Sequence, residues 1–161
     1  MLKRGLMAWL AGLLLAGVVL AEPVDFTLPD LDGKARSLSE FRGKWVLVNY
    51  WATWCPPCLE ELPDLEAFHN AHKDKDAVVI GVNMEEIPVE KLRRFVDQQF
   101  LSFPILRGKP GWRTPLGPVR SLPTSYLIDP QGELVARQVG MVSGEMIETF
   151  IRNYEDKAKG K

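Results

Sequence analysis

Trp54-Cys55-Pro56-Pro57-Cys58 decides how the rest of the chain is read. These are the only two cysteines in 161 residues, and two residues separate them. A disulfide across so short a loop removes little chain entropy, so it is a poor staple. Two cysteines in C-x-x-C spacing at the start of a helix read instead as a redox pair. Upstream, Lys44-Trp45-Val46-Leu47-Val48-Asn49-Tyr50-Trp51 is almost wholly apolar and ends in aromatics. That suits a strand buried on both faces. Downstream, Leu62, Leu65 and Phe68 recur at helical spacing. Strand, turn, cysteine pair and helix together set one thiol over a helix N-terminus.

The length fits one domain, taken here as residues 22–156. A net charge of -1 gives no electrostatic case for binding nucleic acid. Residues 1–21 read as a signal peptide, with an uncleaved anchor as the alternative. Lys3 and Arg4 form a basic start, Leu6 to Ala21 is uncharged and mostly apolar, and Val19-Leu20-Ala21 offers small residues for cleavage. No cysteine lies near that position, which excludes a bacterial lipoprotein. Cleavage removes two basic residues and no acid, taking the net charge from -1 to -3. Export places the pair in an oxidising compartment, where disulfides persist.

In chain order, Val24–Leu28 and Ala35–Leu38 read as short strands around Asp32-Gly33. A helical turn follows, closed by Gly43. Ala77–Asn83 is a second apolar run, so the central unit is βαβ with a parallel pair. Pro88 opens a helix with Leu92, Phe95, Val96 and Gln99 on one face. Residues 107–120 carry three prolines, three glycines, four basic residues and no acid, which predicts a long, non-helical loop. Ser125–Ile128 and Glu133–Val139 form a hairpin around Asp129-Pro-Gln-Gly. A last helix shows Met146, Ile147, Phe150, Ile151 and Tyr154 as one stripe, and residues 157–161 are a frayed, disordered tail.

Three segments resemble the thioredoxin superfamily, and within it the exported TlpA/ResA/DsbE group of thiol-disulfide oxidoreductases. Phe26-Thr-Leu-Pro-Asp-Leu-Asp-Gly-Lys is similar to that group's opening hairpin. Asn49-Tyr-Trp-Ala-Thr-Trp-Cys-Pro-Pro-Cys, with Glu61 and Pro63, resembles its active-site segment. Leu122-Pro-Thr-Ser-Tyr-Leu-Ile-Asp-Pro-Gln-Gly resembles the segment bearing its cis-proline. The resemblance implies an α/β, thioredoxin-like three-layer fold: a mixed central sheet, helices on both faces, and an N-terminal β-hairpin. It also implies a periplasmic enzyme that reduces disulfides of exported client proteins, often for cytochrome c maturation. Such an enzyme is kept reduced by a membrane electron donor, and this chain is expected to be a monomer. Two departures stand out. Asn49 occupies the place of thioredoxin's buried aspartate, and the basic loop 107–120 replaces a short helix.

The thiolate is the attacking species. Cys55 belongs at the helix N-cap, facing unpaired backbone N–H groups. Cys58, a turn inside, is the more buried, resolving thiol. Pro56 and Pro57 each lack an N–H, so two donors that would solvate the thiolate are missing. A milder acidity for Cys55 follows, and with it a less oxidising disulfide. Glu61 lies one turn beyond Cys58 on the same side, where a carboxyl raised by burial can exchange a proton with it. The resembled group gives the matching glutamate that role. Pro123 is expected to be cis, keeping a backbone donor from the sulfurs and presenting the Leu122 backbone to an extended substrate. Trp51 belongs to the core, and Trp54 stands half exposed beside the site.

The pair itself serves as the redox centre, without a separate cofactor or metal. Other readings use the same residues. An oxidase would run the exchange in reverse, since direction is a difference of potentials. A metallochaperone would bind Cu(I) through both thiolates. A thiol peroxidase requires threonine three residues before the cysteine, and Ala52 stands there. His69 and His72 read as surface histidines at a helix end. Met84 and Met141 read as packing residues. Trp112, with Arg107, Lys109, Arg113 and Arg120 nearby, forms either an acidic partner's landing surface or a solvated loop tied down by one tryptophan.

Overall fold

The computed structural model describes residues 22–160, and the expected signal segment lies outside them. Among the described residues no helix is long and apolar enough to cross a membrane. β1 (Thr27–Pro29) and β2 (Ala35–Ser37) form an antiparallel hairpin. In its turn Asp30 Oδ1 accepts from the Asp32 and Lys34 amides, each at 2.9 Å, and Gly33 takes φ +78°. The aspartate supplies a local acceptor and glycine the left-handed backbone. A 3-10 turn, Leu38–Phe41, leads into β3 (Trp45–Trp51), which is buried throughout.

The rest follows as α1 (Pro56–His72), β4 (Ala77–Asn83), α2 (Val89–Gln98), β5 (Ile105–Arg107), β6 (Arg113–Thr114), β7 (Gly117–Pro118), β8 (Thr124–Ile128), β9 (Leu134–Val139) and α3 (Gly144–Lys159). The central sheet has the order β5-β4-β3-β8-β9. The first three strands are parallel, while β8 and β9 run antiparallel to their neighbours. β3, β4 and β5 therefore end at the same edge of the sheet.

β3 alternates its side chains between two cores. Trp45, Leu47 and Trp51 pack with Leu62 and Leu65 of α1, Leu92 of α2 and Ile147 of α3. Both parallel crossovers step the same way across the sheet, and right-handed connections then put α1 and α2 on one face. Val46, Val48 and Tyr50 point the other way, to Phe26, Leu38, Leu116 and Val119. That face has the 3-10 turn as its helical cover, completed by the N-terminal segment and the basic loop.

Several local expectations are corrected. Segment 107–120 is not wholly irregular: it holds the β6–β7 hairpin and buries Leu116 and Val119. Gln99 lies beyond α2 and is exposed, and Met146 is exposed on α3. α3 runs through Lys159, so residues 157–159 continue the helix where a frayed tail was expected. Lysines in a last turn suit the negative end of the helix dipole. His69 is buried, not on the surface, because its Nδ1 accepts the Val79 amide at 3.1 Å.

Candidate active site

The buried strand β3 delivers the chain to its C-terminal edge at Trp51. Four residues on, Cys55 is the N-cap of α1, with extended backbone (φ -96°, ψ 104°). Cys58 falls in the first turn and is disulfide-bonded to Cys55, with 5.3 Å between the Cα atoms. Of the four amide positions at the start of α1 that lack an intrahelical partner, Pro56 and Pro57 carry no N–H, and Cys55 N–H donates to Ala52 O at 3.3 Å. The Cys58 amide is the one donor left to face a Cys55 thiolate.

Both cysteines are buried in this oxidised form, Cys55 at 3% and Cys58 at 0% exposure. Cys58 was expected to be the more buried of the two, and it is, by a small margin. The order of the two still holds: an incoming thiolate meets Cys55 first, because Cys58 has no surface. The neighbours supply the exposure, Trp54 at 69% and Pro56 beside it, while Pro57 is partly buried.

Glu61 sits one turn further along α1 and is 3% exposed. Its Oε1 accepts from Asn49 Nδ2 at 2.7 Å, and its Oε2 from the Val142 amide at 2.9 Å. Burial pushes its pKa up to about 7, against the pull of the Val142 and Asn49 hydrogen bonds. Asn49 also donates to Ser125 Oγ at 3.0 Å, while its own Oδ1 is unpartnered. An amide in the middle of an apolar strand was the signal for this buried network, but its partners, Ser125 and Val142, come from distant segments.

The Leu122–Pro123 peptide is cis, as expected. Pro123 is buried, and its carbonyl accepts the Gly140 amide at 2.9 Å. Leu122 is partly buried and packs on the core cluster that contains both cysteines. His69 and His72 do not share a site: the His72 ring meets Asp76 at 2.8 Å and Glu148 at 3.3 Å, and His69 faces β4.

One residue of the site escaped sequence reasoning. Glu85, just past β4, accepts from Thr53 N–H at 2.6 Å, from Thr53 Oγ1 at 3.0 Å and from Asn83 Nδ2 at 2.8 Å. It therefore pins the turn that leads into Cys55. Glu85 follows a strand end and carries no motif, so the sequence held no sign of this link.

Four matches to known proteins bear on this site. The family model described as the AhpC/TSA family matches residues 20–137. The thiol-disulfide oxidoreductase ResA of Halalkalibacterium halodurans is 37% identical over 137 residues, covering 85% of this chain and 77% of ResA. Among solved structures, a thiol:disulfide interchange protein of the thioredoxin family from Chlorobium tepidum superposes with a TM-score of 0.71 at 26% identity, covering 82% of this chain and 96% of that one. A secreted thiol-disulfide isomerase from Corynebacterium glutamicum gives 0.70 at 25% identity, covering 78% and 80%. A family match across most of the folded chain, and a relative named as a thiol-disulfide oxidoreductase, place it: the chain belongs to the AhpC/TSA family and is a thioredoxin-like thiol-disulfide oxidoreductase.

Proposed function

We propose that this enzyme reduces disulfides of exported client proteins in the periplasm, and that a membrane electron donor returns it to the dithiol state. Cytochrome c maturation is the setting that the family resemblance favours. The observation that carries the reading is Cys55 at the N-cap of α1, bonded to Cys58, with the buried Glu61 carboxyl one turn on.

The exchange runs in two steps that conserve atoms and electrons. The Cys55 thiolate attacks one client sulfur, forming a mixed disulfide and expelling the second client sulfur as a thiolate. Cys58 then loses its proton and attacks Cys55 Sγ, which closes the Cys55–Cys58 disulfide and frees the first client sulfur. Two electrons pass to the client, which takes up two protons. Glu61 receives the Cys58 proton, because a carboxyl that titrates near neutrality both accepts and returns a proton at working pH. Trp54, Pro56 and Pro57 form the rim that a client touches, and the Leu122 backbone before cis-Pro123 meets the extended client segment. The cysteine pair does the redox chemistry without a bound cofactor, and the chain acts as a monomer.

Sparse solvation of the Cys55 thiolate favours the reducing direction: one first-turn amide remains where an ordinary helix start offers more. Export is supported by the basic, apolar start of the sequence and by the secreted isomerase among the structural neighbours. Equilibration against glutathione buffers tests the direction. A potential as low as that of thioredoxin-type reductants is expected, and one as high as the strong oxidases overturns it.

A further inference from the structure

A cleft of about 580 Å³ opens at the sheet edge where the parallel strands end. That volume lies in the range of ligand-binding clefts. Its floor is apolar, made by Tyr50, Val82, Met84 and Ile87. One wall comes from the basic segment, with Arg107, Lys109 and Arg113. Among the described residues, none of these three cations forms an ion pair. Glu85 and Glu86 stand on the other wall, but Glu85 is already engaged by Thr53 and Asn83. Those neutral donors leave the Glu85 charge in place, so three cations against two carboxylates give the cleft a small net positive charge. Tyr50 belongs to the floor, is 1% exposed, and its hydroxyl has no hydrogen-bond partner. Beside the cleft Trp112 is 49% exposed, with the Arg113 and Arg120 guanidinium carbons 4.3 and 5.7 Å from its ring centroid.

We propose that this cleft docks an extended, acidic segment of the client protein, carrying at least one apolar side chain, and so orients the client's disulfide towards Cys55. The inference rests on the reductase reading above and names the kind of client. Unpaired cations over an apolar floor recognise carboxylates flanked by an apolar residue. Gly108 keeps the wall close to β4: a Cβ there would stand 2.9 Å from Val82 Cγ1 and 3.0 Å from Asn83 O. The Glu85–Thr53 hydrogen bonds tie the cleft wall to the turn before Cys55, so a segment held in the cleft lies on the redox edge of the sheet.

The test compares two disulfide-bridged peptides that differ only in a flanking run, Asp/Glu with one leucine against Lys with one leucine. Hydroxyethyl disulfide serves as a small neutral substrate. At low salt, kcat/KM for the acidic peptide is expected to exceed that for the basic one at least tenfold, and about 0.5 M salt should close the gap. In the exposed double variant Lys109→Glu/Arg113→Glu, turnover of the acidic peptide should fall at least tenfold relative to turnover of hydroxyethyl disulfide. Equal rates on the two peptides, or a preference that survives the double variant, overturn the proposal. So does binding to anionic vesicles without binding to the acidic peptide. Failure to turn over hydroxyethyl disulfide would instead reject the reductase reading. A cysteine-free acidic peptide, titrated against Trp112 fluorescence with Trp112→Phe as the blank, still decides docking in that case: saturable binding supports it and no binding rejects it.

Discussion

Asn49 Nδ2 donates to Glu61 Oε1 at 2.7 Å, joining the middle of β3 to the second turn of α1. The carboxyl so held is the one acid among the described residues pushed up to near neutrality, and it lies a helical turn from the resolving cysteine. In the mechanism proposed above, a proton store next to Cys58 speeds the step in which the mixed disulfide resolves. Glu61→Gln keeps the shape and removes the store. Rapid-quench kinetics should show that step slowed by roughly 100-fold at neutral pH, the low end of general acid–base effects. The rate–pH profile should also lose its inflection near 7. An unchanged profile would make Glu61 a packing residue.

The same carboxyl should shape stability. Its folded pKa, about 7, lies above the ordinary 4.5, so its contribution is complete below pH 4.5 and is lost as pH rises towards 7. The gap corresponds to about 3 kcal/mol at most. His69 acts in the opposite sense: burial lowers its pKa from 6.5, so its contribution is complete above that pH and is lost as pH falls. The difference between wild type and Glu61→Gln cancels the histidine. Urea unfolding should show the variant gaining on the wild type by roughly 3 kcal/mol or less between pH 4.5 and 7. A difference that stays flat with pH would deny the burial effect.

Asn49→Asp sets a second carboxyl against Glu61 at the distance of the present hydrogen bond, 2.7 Å. Two carboxylates so close cannot both ionise cheaply, so they share one proton and titrate as a pair. Carbonyl-labelled infrared or NMR titration should show one step below and one well above the single step of the wild type. Two independent, ordinary carboxyl titrations would mean that the pair has moved apart.

Gly81 lies in β4 where a Cβ would stand 2.9 Å from each of Ile105 Cδ1, Phe103 Cε2 and Trp51 Nε1. The Ile105 methyl can turn aside, but the Phe103 and Trp51 rings are rigid and buried, so Gly81→Ala overpacks the core behind the active-site strand. A loss of about 1–3 kcal/mol in urea unfolding is expected. Wild-type stability in this variant would show that the three neighbours yield freely.

What the sequence made legible follows from where its signals are local. The apolar runs at Trp45–Trp51 and Ala77–Asn83 admit little but buried strands, and the spacing after Cys58 admits little but a helix. The N-cap place of Cys55 follows from those elements alone, and helix geometry sets Glu61 on the side of the cysteines, but the burial of Glu61 also needs Val142 from a distant segment. What stayed hidden depends on distant chain. His69 is buried because β4 offers an unpaired amide, and Glu85 matters because Thr53 comes back to meet it. The basic segment looked solvated because prolines and glycines dominate it, yet Leu116 and Val119 fill the face of the sheet that no α-helix covers. Cys55 is buried despite its helix-end position, since its exposure depends on the core cluster that it shares with residues from distant segments.

Pro57 offers the sharpest control of the redox pair. It occupies the second helical position, whose amide would ordinarily donate to an N-cap side chain. Pro57→Ala restores that donor without changing the charge of the site. One hydrogen bond to a charged acceptor is worth about 1.5 kcal/mol or more, so the pH midpoint of Cys55 alkylation should fall by roughly one pH unit. A more stable thiolate favours the dithiol form, so the disulfide should become more oxidising, and the glutathione equilibrium should shift by roughly tenfold. If the acidity rises and the equilibrium does not follow, the Cys58 side of the pair sets the potential. If neither moves, the restored amide does not face the sulfur, and the reducing character must come from the buried surroundings of the pair rather than from its two prolines.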